Sequence, residues 1–108
     1  MKHDEHLIQK SIVDYLRMNR IEVFAVPNGG RRDAVTGAML KAEGATAGVS
    51  DLIILLPNKP VFVEVKTRTG RQSDNQKDFQ NRVEKLGFEY YIWRSVEDAV
   101  KWNNERGD

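Results

Sequence analysis

Two apolar, β-branched runs that lie close together in the chain constrain its fold most. The first is LIILL at positions 52–56, and the second is VFVEV at positions 61–65. Between them the chain reads PNKP, and turn residues between two strand-forming runs predict a β-hairpin. The runs are flanked or interrupted by Asp51, Glu64 and Lys66, although burying an unpaired charge is costly. These charges therefore indicate either a chemical site or a costly accident.

The expected register of the hairpin brings the three charges together. With a loop at positions 58–59, Ile53 lies opposite Glu64, and Asp51 lies opposite Lys66. Because side chains alternate between the two faces of a strand, Asp51, Glu64 and Lys66 then share one face at the open end of the hairpin. A slip of one residue in the register would move these side chains to the other face.

Helical and extended patterns alternate along the rest of the chain. The Ser73-x-x-Gln76 pattern predicts a capping box at the start of a helix, and Ser95 opens a later one. The remaining assignments follow hydrophobic periodicity. Helices are predicted over residues 5–19, from 73 to about 86 and from 95 onward, and strands are predicted over residues 21–26, 51–56, 61–66 and 88–93.

A glycine-rich stretch at positions 29–48 separates the first strand from the hairpin. It predicts either a mobile, solvated loop with one helical turn at 39–42, or a flap whose cations meet phosphates. The hairpin is antiparallel, whereas the later strand–helix–strand passage suits a parallel crossover. The order of elements therefore predicts one α/β domain over residues 1–108, with a mixed β-sheet core flanked by α-helices.

Composition limits the classes of protein. A length of 108 residues suits one small domain, and a formal net charge of +1 does not by itself indicate a nucleic-acid partner. The sequence has no cysteine, which excludes disulfides and thiolate metal sites and predicts a cytoplasmic protein. No apolar run approaches membrane-spanning length, so we expect no membrane association.

The hairpin charges suit metal-assisted phosphate chemistry. Asp51 and Glu64 supply carboxylate oxygens, and the backbone carbonyl of Val65 offers another, which are the ligands that Mg²⁺ prefers in proteins. Such an ion lowers the pKa of a bound water and stabilises charge on a phosphoryl oxygen. Lys66 shares a face with Glu64, and its ammonium could orient the attacking water or neutralise the developing charge.

Two polar side chains on predicted helices have alternative interpretations. Glu5 projects between Ile12 and Leu16 on the inward stripe of the first helix. It is either a first-turn carboxylate favoured by the helix dipole or a carboxylate aimed at the hairpin site. Gln76 either completes the capping box or contacts a lysine or a phosphate in the site.

The ordered set of motifs resembles the VRR-NUC domain, in its stand-alone viral and bacterial form, within the PD-(D/E)xK nuclease superfamily. The resemblance covers nearly the whole chain, roughly residues 5–94. Ser50 stands where the family commonly has proline, and we expect activity to survive with slightly looser positioning of Asp51. The motifs are Glu5 and Gln9, Asn28-Gly29, Gly48-Val49-Ser50-Asp51-Leu52, Glu64-Val65-Lys66, and Ser73-x-x-Gln76 before Phe79.

The resemblance implies a role for each of these residues. Asp51 and Glu64 would bind a divalent metal, Mg²⁺ or Mn²⁺, with Glu5 as a direct or water-mediated ligand. Lys66 would be the catalytic lysine, supported by Gln76. The implied protein is a metal-dependent, structure-selective DNA endonuclease, similar to Holliday-junction resolvases, that acts on branched DNA as a homodimer in a bacterium or in the host cell of a phage.

Three alternatives remain open at the level of sequence. The chain could cut flaps or plain duplex DNA, or it could bind DNA without catalysis. It could also be a structural domain in which the hairpin charges form a buried ion network, although such networks are weak stabilisers. The candidate DNA-contacting residues, each equally well explained as a surface group, are Asn28, Arg31, Arg32, Lys41, Arg68 and Arg71.

Overall fold

Helices and strands follow one another in the order that the sequence predicts. The computed structural model describes residues 2–27 and 34–107, with the side chains of residues 4–27 and 35–107. None of the helices in this part of the chain is long and apolar enough to cross a membrane. The elements are α1 (Lys2–Met18), β1 (Glu22–Ala25), α2 (Ala34–Ala42), β2 (Leu52–Leu56), β3 (Lys59–Val65), α3 (Asp74–Lys85), β4 (Glu89–Trp93) and α4 (Val96–Glu105).

The four strands form one mixed sheet in the order β1-β2-β3-β4. β1 pairs antiparallel with β2, and β2 with β3, whereas β3 and β4 run parallel. Helix α3 makes the crossover between the two parallel strands, as parallel pairing requires. The predicted mixed sheet flanked by helices is therefore confirmed.

The hairpin register differs from the expected one by two residues. Leu56 pairs with Lys59 and Ile53 pairs with Phe62, so the loop is 57–58 rather than 58–59. Continuing the pairing one step places Asp51 opposite Glu64, not opposite Lys66. Because the shift is an even number of residues, the side chains keep their faces, and the expectation that the three charges share a face survives.

Pro60 explains why the sequence misplaced this loop. A proline usually marks a turn, but here it lies inside β3, opposite Leu55. The backbone nitrogen of Lys66 donates to the carbonyl of Trp93, so even-numbered residues of β3 direct their nitrogens toward β4. The β3–β4 pairing begins at Val61. The missing N–H of Pro60 therefore costs the sheet no ladder hydrogen bond.

The glycine-rich stretch holds more helix than its composition suggests. Instead of one turn at 39–42, the structure has the nine-residue α2, with Val35 and Met39 exposed. Helix α2 has few close contacts with the rest of the domain. The predicted turn at 39–42 was too short, because alanine, leucine and methionine favour helix strongly enough to offset Gly37.

The hydrophobic core lies on one face of the sheet, under α1 and α4. Ile12 and Leu16, one helical turn apart on α1, are fully buried against the valines of β3. Trp93 of β4 contacts Trp102 of α4, with ring centroids 5.6 Å apart. Helix α3 covers part of the opposite face, where Phe79 lies 5.8 Å from Phe62. The charges of the hairpin lie on this second face.

Candidate active site

Asp51 lies immediately before β2, and its side chain extends the ladder between β2 and β3. Its Oδ2 accepts a hydrogen bond of 2.8 Å from the backbone nitrogen of Val65, and its own carbonyl accepts one of 2.8 Å from Val26. Ser50 is fully buried, and its hydroxyl donates to the carbonyl of Leu52 across a distance of 3.2 Å. Hydrogen bonds from the residue after β1 and from β3 therefore fix both the backbone and the carboxylate of Asp51.

Val65 directs its backbone groups toward Asp51. Its N–H bonds the Asp51 carboxylate, and in an extended strand the N–H and C=O of one residue point to the same side. The carbonyl that the sequence suggested as a metal ligand thus lies on the side of Asp51, whereas the next residue, Lys66, bonds β4. This placement agrees with the predicted ligand role and leaves that role a prediction.

The two carboxylate oxygens of Glu64 have different surroundings. The residue is only 2% exposed. Its Oε2 accepts a hydrogen bond of 2.8 Å from Nε2 of Gln76 and lies 3.7 Å from Nζ of Lys66. Its Oε1 is buried and has no hydrogen-bond partner among the described residues. A buried oxygen without a donor is unusual in a folded protein and marks a position where a cation would be favourable.

Glu64 holds a proton unusually tightly. Its pKa is raised to about 8, and burial is the largest cause. The charge of Asp51 and a hydrogen bond that protonated Glu64 makes to Asp51 also contribute to this rise. The ammonium of Lys66 opposes the shift, and the charge of Glu5 adds the smallest contribution to it. Two carboxyl groups within hydrogen-bonding reach repel as anions, so the pair favours a shared proton or a bound metal ion.

Helix α3 brings Gln76 to the site. Its cap residue, Ser73, accepts a hydrogen bond from the backbone nitrogen of Gln76, while the nitrogen of Ser73 donates to Oε1 of Gln76 across 2.8 Å. That capping contact orients the amide so that Nε2 faces Glu64. The sequence offered the capping box and a contact with a lysine or a phosphate as alternatives. The structure shows the capping box, together with a contact to the carboxylate of Glu64 that the sequence did not predict.

Gly48 lets the start of α3 approach the segment that leads to Asp51. It has a φ of +83°, and a Cβ at this position would lie 2.8 Å from the backbone nitrogen of Gln76 and would clash with the carbonyl of Asn75. Any side chain would push the helix away and separate Gln76 from Glu64. The sequence analysis quoted Gly48 as part of a motif without a role, since this contact joins residues that are far apart in the chain.

The donor set fits a hard divalent cation bound by two carboxylates. Mg²⁺ is commonly held by one or two carboxylates, with water and substrate phosphate completing its coordination. Asp51 and Glu64 supply these, and Oε1 of Glu64 is the oxygen left without a donor. The described residues contain no group of three or more acidic, histidine or cysteine side chains that could hold a metal. Glu5 is half-buried but is not part of such a group, so a water-mediated role suits it better than direct ligation.

The basic candidates lie outside this cluster. Arg68 and Arg71 are exposed on the segment that follows Lys66, and Lys41 is exposed near the end of α2. Because they are exposed, these side chains could contact DNA, but exposure is equally consistent with a role in keeping the surface soluble. Asn28, Arg31 and Arg32 lie outside the described residues. The structure therefore brings together Asp51, Glu64, Lys66 and Gln76 from the predicted set.

A tyrosine that the sequence analysis did not single out adjoins the site. Tyr90 of β4 is buried on the same face as Glu64, and burial followed by the charge of Glu64 raises its pKa to about 12. Its hydroxyl accepts a hydrogen bond of 3.3 Å from Gln72. Alternation along FEYYIW at 88–93 would have placed Tyr90 on one face, but nothing local shows that Glu64 shares that face.

The family model of the VRR-NUC domain matches residues 6–97. The chain belongs to the VRR-NUC family. Two solved structures resemble this VRR-NUC chain in fold. One, named "VRR_NUC domain", has a TM-score of 0.68 at 21% identity, with 94% of this chain and 96% of that chain covered. Another, named "VRR_NUC domain protein", has a TM-score of 0.76 at 16% identity, covering 94% and 85%. No curated protein sequence matches the chain.

Membership of the VRR-NUC family establishes a nuclease-type fold. The sequence-based assignment to this family is confirmed by the match over most of the chain. The two structural likenesses, both at low identity, extend the agreement to the fold. The metal, the substrate and the oligomeric state are matters for proposal.

Proposed function

We propose that this VRR-NUC protein is a Mg²⁺- or Mn²⁺-dependent endonuclease that hydrolyses phosphodiester bonds in branched DNA as a homodimer. The observation that carries the proposal is the buried Oε1 of Glu64, which lacks a donor and lies beside Asp51 in a pair of carboxylates. In the anionic form of Glu64 this oxygen is an unpaired buried acceptor, which costs about 1–3 kcal/mol unless a proton shared with Asp51 or a metal ion satisfies it. A metal ion would satisfy it during function.

The residues of the site have separable roles in this proposal. Asp51 and Glu64, with the carbonyl of Val65, hold the metal, and Gln76 orients Glu64 through its 2.8 Å hydrogen bond. The bound ion would lower the pKa of a water and stabilise charge on the phosphoryl oxygens. Lys66, whose side chain is 11% exposed, reaches the edge of the site and donates hydrogen bonds to the attacking water or to a phosphoryl oxygen.

The preference for branched DNA and the homodimer are linked. A four-way junction has approximate two-fold symmetry, and two symmetric cuts require two active sites, which a two-fold dimer provides. The aromatic residues Trp93 of β4 and Trp102 of α4 lie in the core and do not supply a dimer surface. Phe24 and Leu55 remain exposed on the sheet face that carries Glu64, and they are better candidates for such a contact.

The strongest competitor is a DNA-binding module without catalysis. It would use exposed cations such as Arg68 and Arg71 and would bind DNA in a salt-sensitive way. Such a module gains nothing from a buried carboxyl pair, whose negative charge would repel phosphates unless a metal neutralised it. The buried pair therefore favours the nuclease over the module.

The deciding experiment is a cleavage panel on labelled four-way junction, flap, single-stranded and duplex DNA with Mg²⁺, Mn²⁺, Ca²⁺ or EDTA. We expect cleavage with Mg²⁺ and Mn²⁺, strongest on the junction, and none with EDTA. Ca²⁺ should allow binding without turnover. Asp51→Ala should abolish cleavage and keep the fold by circular dichroism, whereas Lys10→Ala, on the exposed surface of α1, should cut at the wild-type rate. Cleavage by Asp51→Ala at the wild-type rate would refute the site.

The dimer is tested separately by light scattering after size exclusion. A mass of twice the 12.4 kDa of the chain is expected. A monomer that nevertheless cuts flaps would retain the nuclease and remove the paired-cut model.

A further inference from the structure

The segment between β3 and α3 connects two residues of the candidate active site. Residues 67–72, called the 67–72 loop below, begin directly after Lys66 and end at Ser73, the cap of the helix that carries Gln76. The loop also carries the exposed Arg68 and Arg71. Its shape therefore affects both the amine of the site and the cations that adjoin it.

Arg94 holds this loop from across the sheet. Its Nη1 donates hydrogen bonds of 2.7 Å to the carbonyls of Thr67 and Gly70, and a longer one of 3.3 Å to the carbonyl of Arg68. Arg94 directly follows β4 and is itself anchored, since its backbone nitrogen donates to Asp98 of α4 across 2.8 Å. A side chain 24–27 residues further along the chain thus contacts three backbone carbonyls of the loop.

The loop folds back onto the stem of Lys66. The backbone nitrogen of Gly70 donates to the carbonyl of Thr67 across 3.2 Å and closes a turn. A Cβ at Gly70 would lie 3.5 Å from Cδ of Lys66 and 3.1 Å from the hydroxyl of Thr67. The turn that Arg94 holds therefore lies beside the side chain that carries the ammonium, with room for no more than a methyl group between them.

Guanidinium is well suited to this arrangement. Carbonyl oxygens that converge on one point repel each other, and a fixed cation offsets that repulsion. The planar group of arginine presents its donors in a fixed geometry, whereas the ammonium of lysine is a compact point charge on a flexible chain. A lysine at position 94 would supply charge without the same directed hydrogen bonds.

We propose that Arg94 is a positioning residue for the reaction, which fixes the 67–72 loop and through it the ammonium of Lys66. This inference rests on the proposed nuclease function of the same site. Arg94 acts on the loop backbone and not on the DNA, and its loss displaces Lys66 from its productive position. The geometry of reacting groups governs rate steeply, and a displacement of about 1 Å can cost on the order of 10²-fold.

The test compares Arg94→Ala, Arg94→Lys and wild type on the best substrate of the cleavage panel. Arg94→Ala should lower kcat by about 10- to 100-fold with little change in KM, because Lys66 and not the DNA contact is affected. Arg94→Lys should recover only a small part of the loss. Free methylguanidinium should restore Arg94→Ala at least several-fold, whereas methylammonium at the same concentration should not. Arg106→Ala, which removes an arginine stacked on Trp102 in α4, should keep the wild-type kcat.

A measurement without activity separates this inference from the proposed function. In Arg94→Ala, amide hydrogen exchange should accelerate at Gly70 and across residues 67–72, and should stay unchanged in β2 and β3. If the loop loosens while wild type cuts no DNA, the nuclease proposal fails, and the role of Arg94 in fixing the 67–72 loop is retained. If wild type cuts DNA and Arg94→Ala shows neither faster exchange nor a lower kcat, the positioning role of Arg94 is overturned. A fall in kcat that neither methylguanidinium nor methylammonium restores, together with faster exchange throughout the sheet, also overturns this role. That result would indicate a general loss of stability.

Discussion

On one face of β3, Val61, Val63 and Val65 are fully buried against the core formed with α1 and α4. On the other face, Phe62 contacts α3 and Glu64 lies in a polar cluster with an oxygen that has no hydrogen-bond partner among the described residues. The two faces belong to the same seven-residue strand. The first is apolar and complete, whereas the second contains a feature that opposes stability.

This difference separates stability from the proposed chemistry. Apolar burial contributes roughly 25 cal/mol per Å² and requires no ligand. A buried carboxyl pair costs free energy until a proton or a metal joins it. The strand is therefore stabilised from one side and poised for a cation on the other. Changes to the two faces should have opposite consequences for activity and stability.

Removing the amine of the site should have the largest effect. Lys66→Met should lower the Mg²⁺-dependent cleavage rate by about 10³-fold, because it deletes the ammonium beside Glu64 and keeps most of the length of the side chain. Its effect on the melting temperature should be smaller than that of a core substitution. Single-turnover cleavage and thermal unfolding of the same preparation measure both quantities, and a matched loss in the two would contradict the assignment of Lys66 to chemistry.

Neutralising Glu64 should stabilise the protein while it lowers activity. The pKa of Glu64 is about 8 in the folded state against 4.5 for an ordinary glutamate. The contribution of Glu64 to the stability of wild type is therefore fully present below about pH 4.5 and is lost as the pH rises toward 8. At pH 7 without metal, Glu64→Gln should exceed wild type in unfolding free energy by on the order of 3 kcal/mol.

Denaturant unfolding between pH 4 and 8, with and without Mg²⁺, measures this advantage. The difference between Glu64→Gln and wild type should vanish at pH 4, where both folded and unfolded Glu64 are protonated. Added Mg²⁺ should stabilise wild type more than Glu64→Gln, since the variant lacks one anionic ligand. An advantage of Glu64→Gln that does not depend on pH would contradict the explanation.

Truncation on the core face should have the opposite result. Val63→Ala should lower the unfolding free energy by about 2 kcal/mol, because it leaves a cavity in the buried cluster. At low temperature the folded fraction should retain the wild-type cleavage rate and metal requirement. Chemical denaturation and cleavage at 10 °C check this outcome, and a loss of activity without a loss of stability would show that the faces are coupled.

The smallest effect is expected where α3 meets the site. Ser73→Ala removes one half of the capping box and should cost about 1 kcal/mol of stability. Gln76 would retain its contact with Glu64 but lose one restraint on its amide, so cleavage should fall only a few-fold. Gln76→Ala, which removes the contact itself, is the matched comparison and should reduce cleavage further. Equal activity in the two variants would show that the cap, and not the contact, sets the position of Glu64.

Local patterns were sufficient for much of the fold. Alternation and periodicity predicted the helix that buries Ile12 and Leu16. The Ser73-x-x-Gln76 pattern predicted the capping box of α3. The register of the hairpin was wrong because Pro60 was treated as a turn residue, although it occupies a position in β3 where no N–H is needed. Helix α2 was predicted only as one turn at 39–42, because the glycines of this stretch indicated a loop although the segment is rich in alanine.

Sequence by itself determined which side chains could form a site, because the spacing of Asp51, Glu64 and Lys66 on paired strands places them on one face at any even shift of register. Tertiary structure alone decided the rest. It left one oxygen of Glu64 without a donor, let Gly48 admit the start of α3, and brought Arg94 onto the loop after Lys66. Each of these depends on contacts between residues that are distant in the chain, and a local pattern carries no information about such distances.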